Sequence, residues 1–235
     1  MSQTTWRNLG AIFCVVSATL IGSGVATAQV PPGAAQAAAY RGLHAAAHRG
    51  DVAEIARLVA AKADVNARDN YGRTAVHVAA FARQRGALKA LATAGADLEL
   101  LESDRYDAVT IAAVADDEDT LRTLLALGAS ANLTTSRYDG TALIAAAHLG
   151  HDGVVRQLIA AGAPLGHVNN LHWTAVIESI VLGNGGPRHQ ATLKALISAG
   201  ANLQLTDRQG NTPLALAKMH GYREMVHMLE VAGAQ

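Results

Sequence analysis

The sequence is nearly without cysteine and is poor in aromatic residues. Its one cysteine, Cys14, lies within the first 28 residues, so the rest of the chain forms no disulfide and offers no thiol nucleophile. Aromatic residues make up 4% of the 235 residues, although half of the chain is hydrophobic. A core built mainly from Ala, Leu, Val and Ile lets helices approach closely, so the composition favours short stacked helices over a sandwich or barrel.

The sequence also lacks an excess of charge of either sign. It has 19 basic and 19 acidic residues, and its formal net charge at pH 7 is zero. Nucleic-acid-binding proteins usually carry a stripe of Lys and Arg. We therefore expect no nucleic-acid partner.

The first 28 residues have the pattern of a secretory signal. Arg7 is their one charged side chain, residues 9–25 are largely apolar, and residues 26–28 read Ala-Thr-Ala, which is the small-x-small pattern of a signal-peptidase site. We predict a signal peptide over 1–28 and a periplasmic protein, with secretion as the alternative location. After cleavage we expect no membrane association. The other interpretation is an uncleaved anchor, because the apolar stretch is nearly long enough to span a bilayer.

Apolar helical stretches recur at a fixed period along the remaining chain. Each contains a leucine and ends at a short turn followed by alanine, and the leucines are 33, 33, 34, 38 and 33 residues apart. A period near 33 is typical of a helical solenoid. The six leucines are Leu58, Leu91, Leu124, Leu158, Leu196 and Leu229.

Each period reads as a polar turn followed by two helices. In one unit the turn is 69–73, residues 74–80 read Thr-Ala-Val-His-Val-Ala-Ala, and the second helix ends at Gly95, where the chain leaves a helix in the left-handed region. These residues resemble the ankyrin repeat, whose pattern is Thr-Pro-Leu-His-x-Ala-Ala-x-x-Gly-His and then Val-x-x-Leu-Leu-x-x-Gly-Ala-x-x-Asn. Residues 141–151 and 212–217 also match the first part, and residues 58–66 and 158–163 match the second.

The resemblance implies an all-α fold, an ankyrin-repeat solenoid of about six helix-turn-helix repeats with β-turn or hairpin tips. We predict that it covers 40–235 and follows a short tether at 29–39. Unit three departs from the motif at Asp107, and unit five has extra glycine-rich sequence within 182–190, which we expect to project as a flexible loop. The predicted units are 40–68, 69–101, 102–135, 136–168, 169–206 and 207–235.

The resemblance further implies a monomeric, non-catalytic scaffold that binds a protein partner on its turn tips and the ends of its first helices. Aromatic and arginine side chains dominate binding hot spots. We therefore expect the aromatic and arginine residues on the turn tips and first-helix ends to contact the partner. The alternative is that the rings pack on neighbouring turns and stiffen them. If they bind, Trp173→Ala with Tyr138→Ala should leave stability nearly unchanged. The predicted binding residues are Tyr71, Arg73, Phe81, Tyr106, Arg137, Tyr138, His148, Leu171, Trp173 and Arg208.

Few residues suggest chemistry of another kind. His44 and His77 occupy the histidine position of the motif, where the imidazole bonds the backbone of the next turn. His148 and His151 are three residues apart, which suits a metal on a helix face, but Gly150 between them should end the helix. The acidic residues 116–119 are expected to cap a helix, with a basic partner or weak calcium binding as alternatives.

No phosphate-binding glycine loop or nucleophile elbow is present in the sequence. We therefore expect no catalytic residue, no cofactor and no metal. Two alternatives to a periplasmic scaffold remain, a secreted effector or toxin-associated protein acting on another cell, and a hydrolase or metal enzyme.

Overall fold

The computed structural model describes residues 29–235, and the predicted signal peptide at 1–28 lies outside the described residues. The described part is all-helical, as predicted, and its β pairing is limited to an isolated bridge between Thr135 and Gly140. No helix within it is both long and apolar enough to cross a bilayer. The helices are α1 (Ala34–Ala39), α2 (Gly42–Arg49), α3 (Val52–Ala60), α4 (Ala75–Phe81), α5 (Arg85–Thr93), α6 (Ala108–Val114), α7 (Glu118–Ala126), α8 (Ala142–Leu149), α9 (Asp152–Ala160), α10 (Ala175–Val181), α11 (Pro187–Ser198), α12 (Pro213–His220) and α13 (Arg223–Val231).

From α2 onward the helices form six pairs, one pair for each predicted unit. The first helices (α2, α4, α6, α8, α10 and α12) pack on one another in sequence, and the second helices (α3, α5, α7, α9, α11 and α13) form a parallel layer behind them. Alanines such as Ala46, Ala79 and Ala146 are fully buried, which allows the close approach that the composition predicts. Five of the six periodic leucines are fully buried, and Leu58, in the first unit, is partly exposed.

Short polar side chains begin the first helices. The hydroxyl of Thr141 accepts a hydrogen bond from Ile144 N at 3.3 Å, and Thr174 and Thr212 cap α10 and α12 in the same way. Asp107 accepts from Thr110 N at 2.9 Å, so this departure from the motif keeps the capping function.

The predicted helix-capping role of the acidic cluster is confirmed for Asp117, which begins α7 and accepts from Thr120 N at 3.1 Å. Glu118 and Asp119 lie in the first turn of the same helix, at the positive end of its dipole. Asp116 has a different role, because its carboxylate pairs with Arg188 at 2.6 Å.

The turns between units form a row of tips joined by main-chain hydrogen bonds. In four of the five tips the first residue bonds the residue four positions later, as in Asp69 N to Arg73 O at 2.9 Å, and in unit four Thr135 N bonds Gly140 O five positions later. Neighbouring tips are then linked by Ser103 N to Tyr71 O, by Ser136 N to Arg105 O and by Asn170 N to Tyr138 O, at 2.9 to 3.0 Å. Main-chain hydrogen bonds therefore join the tips of units two to five to one another.

The expectation that the insertion of unit five projects as a flexible loop is wrong. It packs against the next unit, where the Tyr222 hydroxyl donates to Gly183 O at 2.9 Å. A Cβ atom on Gly185 would lie 2.4 Å from the Tyr222 ring, so the glycine is needed for close approach. The insertion then ends at Pro187, the first residue of α11.

The segment predicted as a tether contains a short helix, α1, after Gly33. Residues 29–33 precede it without regular secondary structure. This segment is not detached from the stack, because Val30 O accepts a hydrogen bond from the Arg73 side chain.

Candidate protein-binding surface

Six of the ten predicted binding residues are at least partly exposed. Tyr71 is 47% exposed at the tip of unit two, and Arg137 and Arg208 are exposed at the tips of units four and six. Phe81, Tyr138 and Leu171 are half-buried. These six have side-chain surface available along one edge of the stack, and their contact with a partner stays a prediction.

The other four predicted residues are buried, contrary to the expected exposure. They are Arg73, Tyr106, His148 and Trp173, which are 3 to 9% exposed. Tyr106 and Trp173 belong to the hydrophobic core, which favours the alternative that these rings stiffen the tips. An alanine-rich core has few large side chains, and a buried ring covers much apolar area. Trp173→Ala is therefore expected to lower stability, and the double variant does not isolate binding.

Oppositely charged, exposed side chains of neighbouring tips lie close to one another. Arg105 Nη1 lies 3.0 Å from Asp139 Oδ1, and Arg137 Nη2 lies 3.9 Å from Asp104 Oδ1. The Arg208 side chain donates to Asn170 O in the preceding tip. All of these pairs are exposed to solvent and so contribute little stability, which leaves their arginines available to a partner.

Arg73 lies among three aromatic side chains, and we call Tyr40, Tyr71, Arg73 and Phe81 the Arg73 cluster. The guanidinium carbon lies 4.8 Å from the Tyr71 ring centroid and 5.6 Å from that of Phe81, within cation–π range. The Tyr40 hydroxyl lies beside the guanidinium, and burial raises the pKa of that hydroxyl. Arg73 Nη2 donates to Val30 O at 2.5 Å, whereas the buried Nε and Nη1 have no hydrogen-bond partner.

A second cluster of buried polar groups joins units four and five, and we call Glu178, His148 and Asn169 the Glu178 cluster. Glu178 is fully buried on α10, and its Oε1 accepts from Asn169 Nδ2 at 2.9 Å. Its Oε2 lies 3.2 Å from His148 Nδ1. Asn169 Oδ1 in turn accepts from the backbone N–H groups of Leu171 and Trp173, each at 3.0 Å. Glu178 therefore fixes the tip of unit five.

Sequence reasoning did not find the Glu178 cluster. One signal was present, since residues 175–181 read Ala-Val-Ile-Glu-Ser-Ile-Val and place one carboxylate among apolar residues. A buried carboxylate needs partners, and this argument was available from the sequence. Its partners were not, because His148 is 30 residues away.

The predicted role of the motif histidines is confirmed. His44 Nε2 bonds Arg73 O at 2.8 Å, and His77 Nε2 bonds Tyr106 O at 3.1 Å, each in the following turn. His77 Nδ1 accepts from Thr74 N, so Nε2 carries the proton. Burial lowers the pKa of His77 to about 4, and this imidazole is neutral at pH 7.

The histidines considered for a metal have other partners. His148 pairs with Glu178, and His151 Nδ1 bonds Ala113 O at 2.9 Å. Among residues 29–235 no three or more His, Cys, Asp or Glu side chains are grouped so as to hold a metal ion.

The stacked helix pairs and linked tips define a helical-repeat solenoid. The family models described as ankyrin repeats match 43–92 and 187–230 in one case and 109–207 in the other. The chain belongs to the ankyrin-repeat family. Members of this family generally act as non-catalytic modules for protein–protein interaction.

Known proteins similar to this chain are also ankyrin-repeat proteins. The ankyrin repeat protein YahD of Escherichia coli is 38% identical over 100 residues, which are 42% of this chain and 50% of YahD. The chain thus spans half the length of this relative. An ankyrin repeat domain from Acinetobacter baumannii is 43% identical, with a TM-score of 0.77 over 82% of this chain and 98% of that one.

A further solved structure contains a protein complex. A chain in the complex of a predatory endopeptidase from Bdellovibrio bacteriovorus with an immunity protein is 26% identical to this chain. The TM-score is 0.64, and the similarity covers 82% of this chain and 98% of that one.

Proposed function

We propose that this protein is an exported, monomeric scaffold that binds one protein partner in the bacterial periplasm. The observation that carries the proposal is the row of exposed side chains on linked tips, with Tyr71, Arg137 and Arg208 the most accessible of the predicted residues. Tips whose backbones are hydrogen-bonded to one another lose little conformational entropy on binding, which favours recognition by this edge.

The proposed location rests on the residues before Gln29. Their single basic residue, apolar stretch and Ala-Thr-Ala ending match an export signal. The rest of the chain has no cysteine, so an oxidising compartment would not alter its covalent structure.

The proposed partner is a protein of the same compartment, such as an enzyme that the scaffold holds or protects. The similarity to a chain from an endopeptidase–immunity protein complex supports this idea. The alternative is an effector that acts on another cell, and fractionation separates the two: protein found in the medium or in a target cell would contradict the periplasmic assignment.

The proposal is tested by affinity capture from periplasmic extract. We expect the triple variant Tyr71→Ala, Arg137→Ala and Arg208→Ala to retain about a tenth or less of the captured partner, since hot-spot losses of about 2 kcal/mol or more reduce affinity more than tenfold. The matched control changes exposed side chains of the second helices, Lys89→Ala, Lys194→Ala and Arg223→Ala.

The two triple variants differ in the face of the stack that they alter. Equal capture by both, or greater loss in the control, would show that the tips are not the binding edge. Circular dichroism on each variant checks that the stack remains folded.

A further inference from the structure

We propose that the Arg73 cluster is a carboxylate-binding site, which receives an Asp or Glu side chain on an extended segment of the partner. The inference deepens the proposed function and rests on it for the identity of the ligand as part of a protein. In the unbound protein Val30 O accepts a hydrogen bond from Arg73 at the same position.

The first argument is that Arg73 is a buried cation with no carboxylate at ion-pair distance among the described residues. Its side chain is 3% exposed, and no described carboxylate forms an ion pair with it. Two carboxylates of the adjoining turns accept hydrogen bonds from other groups, although Glu102 also feels the positive charge of Arg73. Asp69 accepts from two backbone N–H groups and from the Tyr40 hydroxyl, and Glu102 accepts from the backbone of its own turn. Leaving buried guanidinium N–H groups without acceptors is costly, so the position favours an added anion.

The second argument is that the fold does not require a cation at this position. Arg73 directly precedes the residue that begins the first helix of its unit. The residues at the same place in the four later units are uncharged: Tyr106, Gly140, Trp173 and Asn211. The turns and helix caps of those units form without a guanidinium. The fold therefore does not explain the charge of Arg73.

The third argument concerns what now covers the site. Val30 offers one neutral carbonyl oxygen to Arg73 Nη2, and Val30 itself is 46% exposed. A carboxylate offers two charged oxygens, which engage Nη2 together with Nε or with Nη1 in the paired geometry that arginine favours. A partner carboxylate thus forms more and stronger hydrogen bonds than the segment it displaces.

The surroundings complement a negative ligand. Tyr71 and Phe81 give the guanidinium apolar walls, and a low local dielectric strengthens a charge-assisted hydrogen bond. A depression beside the cluster is lined by Tyr40, Arg41, His44 and Arg68 among others, with Asp69 as its one acidic side chain. Arg41 and Arg68 are exposed.

The site is tested with two peptides that differ in one group, acetyl-Ala-Pro-Glu-Pro-Ala-amide and its Gln counterpart. The purified ¹⁵N-labelled protein is titrated with each, and the Nε–H resonance of Arg73 is followed by NMR. We expect the Glu peptide to shift this resonance and to bind about tenfold more tightly than the Gln peptide. Replacing residues 29–33 with a Gly-Ser spacer should tighten binding of the Glu peptide several-fold, because the competing carbonyl is removed.

Two arginine variants make the test specific. Arg73→Lys keeps the charge but not the paired donors and should reduce the preference for Glu over Gln several-fold, whereas Arg137→Lys should leave it unchanged. Equal or absent binding of the two peptides to folded protein, or an unchanged preference in Arg73→Lys, overturns the carboxylate site even where partner capture succeeds. A preference for Glu together with failed capture supports the site and removes the proposed scaffold function.

Discussion

Arg73 and Glu178 are both buried charged residues on the same scaffold, but they differ in how completely they are partnered. Both oxygens of Glu178 are engaged by side chains from the neighbouring unit and from its own tip. Two of the three nitrogens of Arg73 have no acceptor. The difference indicates that Glu178 stabilises the scaffold, whereas Arg73 has donors available to an acceptor from a binding partner.

The contrast follows from position in the stack. Glu178 lies in unit five, where α8 and α12 flank its helix on both sides. Arg73 lies in unit two, and unit one has no turn of its own before α2. On this side Val30 supplies Arg73 with one carbonyl oxygen instead of a network.

The largest expected effect comes from replacing each charged residue with leucine. Glu178→Leu leaves His148 and Asn169 without their buried acceptor and should lower the free energy of unfolding by about 3–5 kcal/mol. Arg73→Leu replaces an unpartnered cation with an apolar side chain and should change it by less than about 1 kcal/mol. Urea unfolding followed by circular dichroism measures both, and similar losses in the two variants would remove the contrast.

A smaller effect is expected from adding a Cβ atom beside His189, whose side chain bonds the backbone of His148 in the Glu178 cluster. Gly150 and Gly221 both end first helices in the left-handed region, at φ +67° and +71°. A Cβ on Gly150 would lie 2.9 Å from the His189 ring, whereas nothing lies within 4 Å of one on Gly221. Gly150→Ala should therefore cost about 1–3 kcal/mol more than Gly221→Ala in urea unfolding.

The backbone strain is the same in both glycine variants, so their difference reports the His189 contact alone. His189 Nε2 bonds His148 O at 2.9 Å, which connects this contact to the Glu178 cluster. Equal losses in the two variants would mean that the ring moves aside without cost.

The most gradual effect is expected from acid, which acts on buried histidines, among them His77 of unit two. Burial lowers the pKa of His77 to about 4 and also lowers that of His189. Because the folded pKa of His77 lies below the unfolded value near 6.5, its stabilisation is complete above pH 6.5 and is lost as pH falls toward 4. His77 lowers stability by at most about 1.4 kcal/mol per pH unit in this window, and His189 acts in the same direction.

Buried carboxylates act in the opposite direction, since burial raises the pKa of Glu102 and Asp107. The comparison of wild type with His77→Gln therefore isolates the histidine. We expect the slope of unfolding free energy against pH between 6.5 and 4.5 to be shallower in the variant, and parallel slopes would show that His77 does not titrate as argued.

The fold was predictable from the sequence because its determinants are local and repeated. The period of the leucines, the helix-capping Thr and Asp residues and the histidines of the motif each act within one unit or on the next turn. The repeat phase also placed ten residues on the tips and first-helix ends. It did not show that Tyr106 and Trp173 turn into the core, because burial depends on how adjacent units pack.

The insertion of unit five shows a second limit. Its glycines indicate flexibility when read alone, yet Gly183 and Gly185 give His189 and Tyr222 room to approach the backbone. The contacting residues come from α11 and from the start of α13, outside the run 183–186 that holds the glycines. The Glu178 cluster was missed for the same reason, since its partners come from other parts of the chain.

One contact of the insertion also bears on how this repeat array can evolve. Arg188 of unit five donates to Gly150 O in unit four and to Asp116 in unit three. In a simple solenoid each unit contacts its immediate neighbours, so copies are gained or lost with little penalty. Here a duplication or deletion of unit four would separate Arg188 from its acceptors, and this side chain therefore ties the array to a fixed number of repeats.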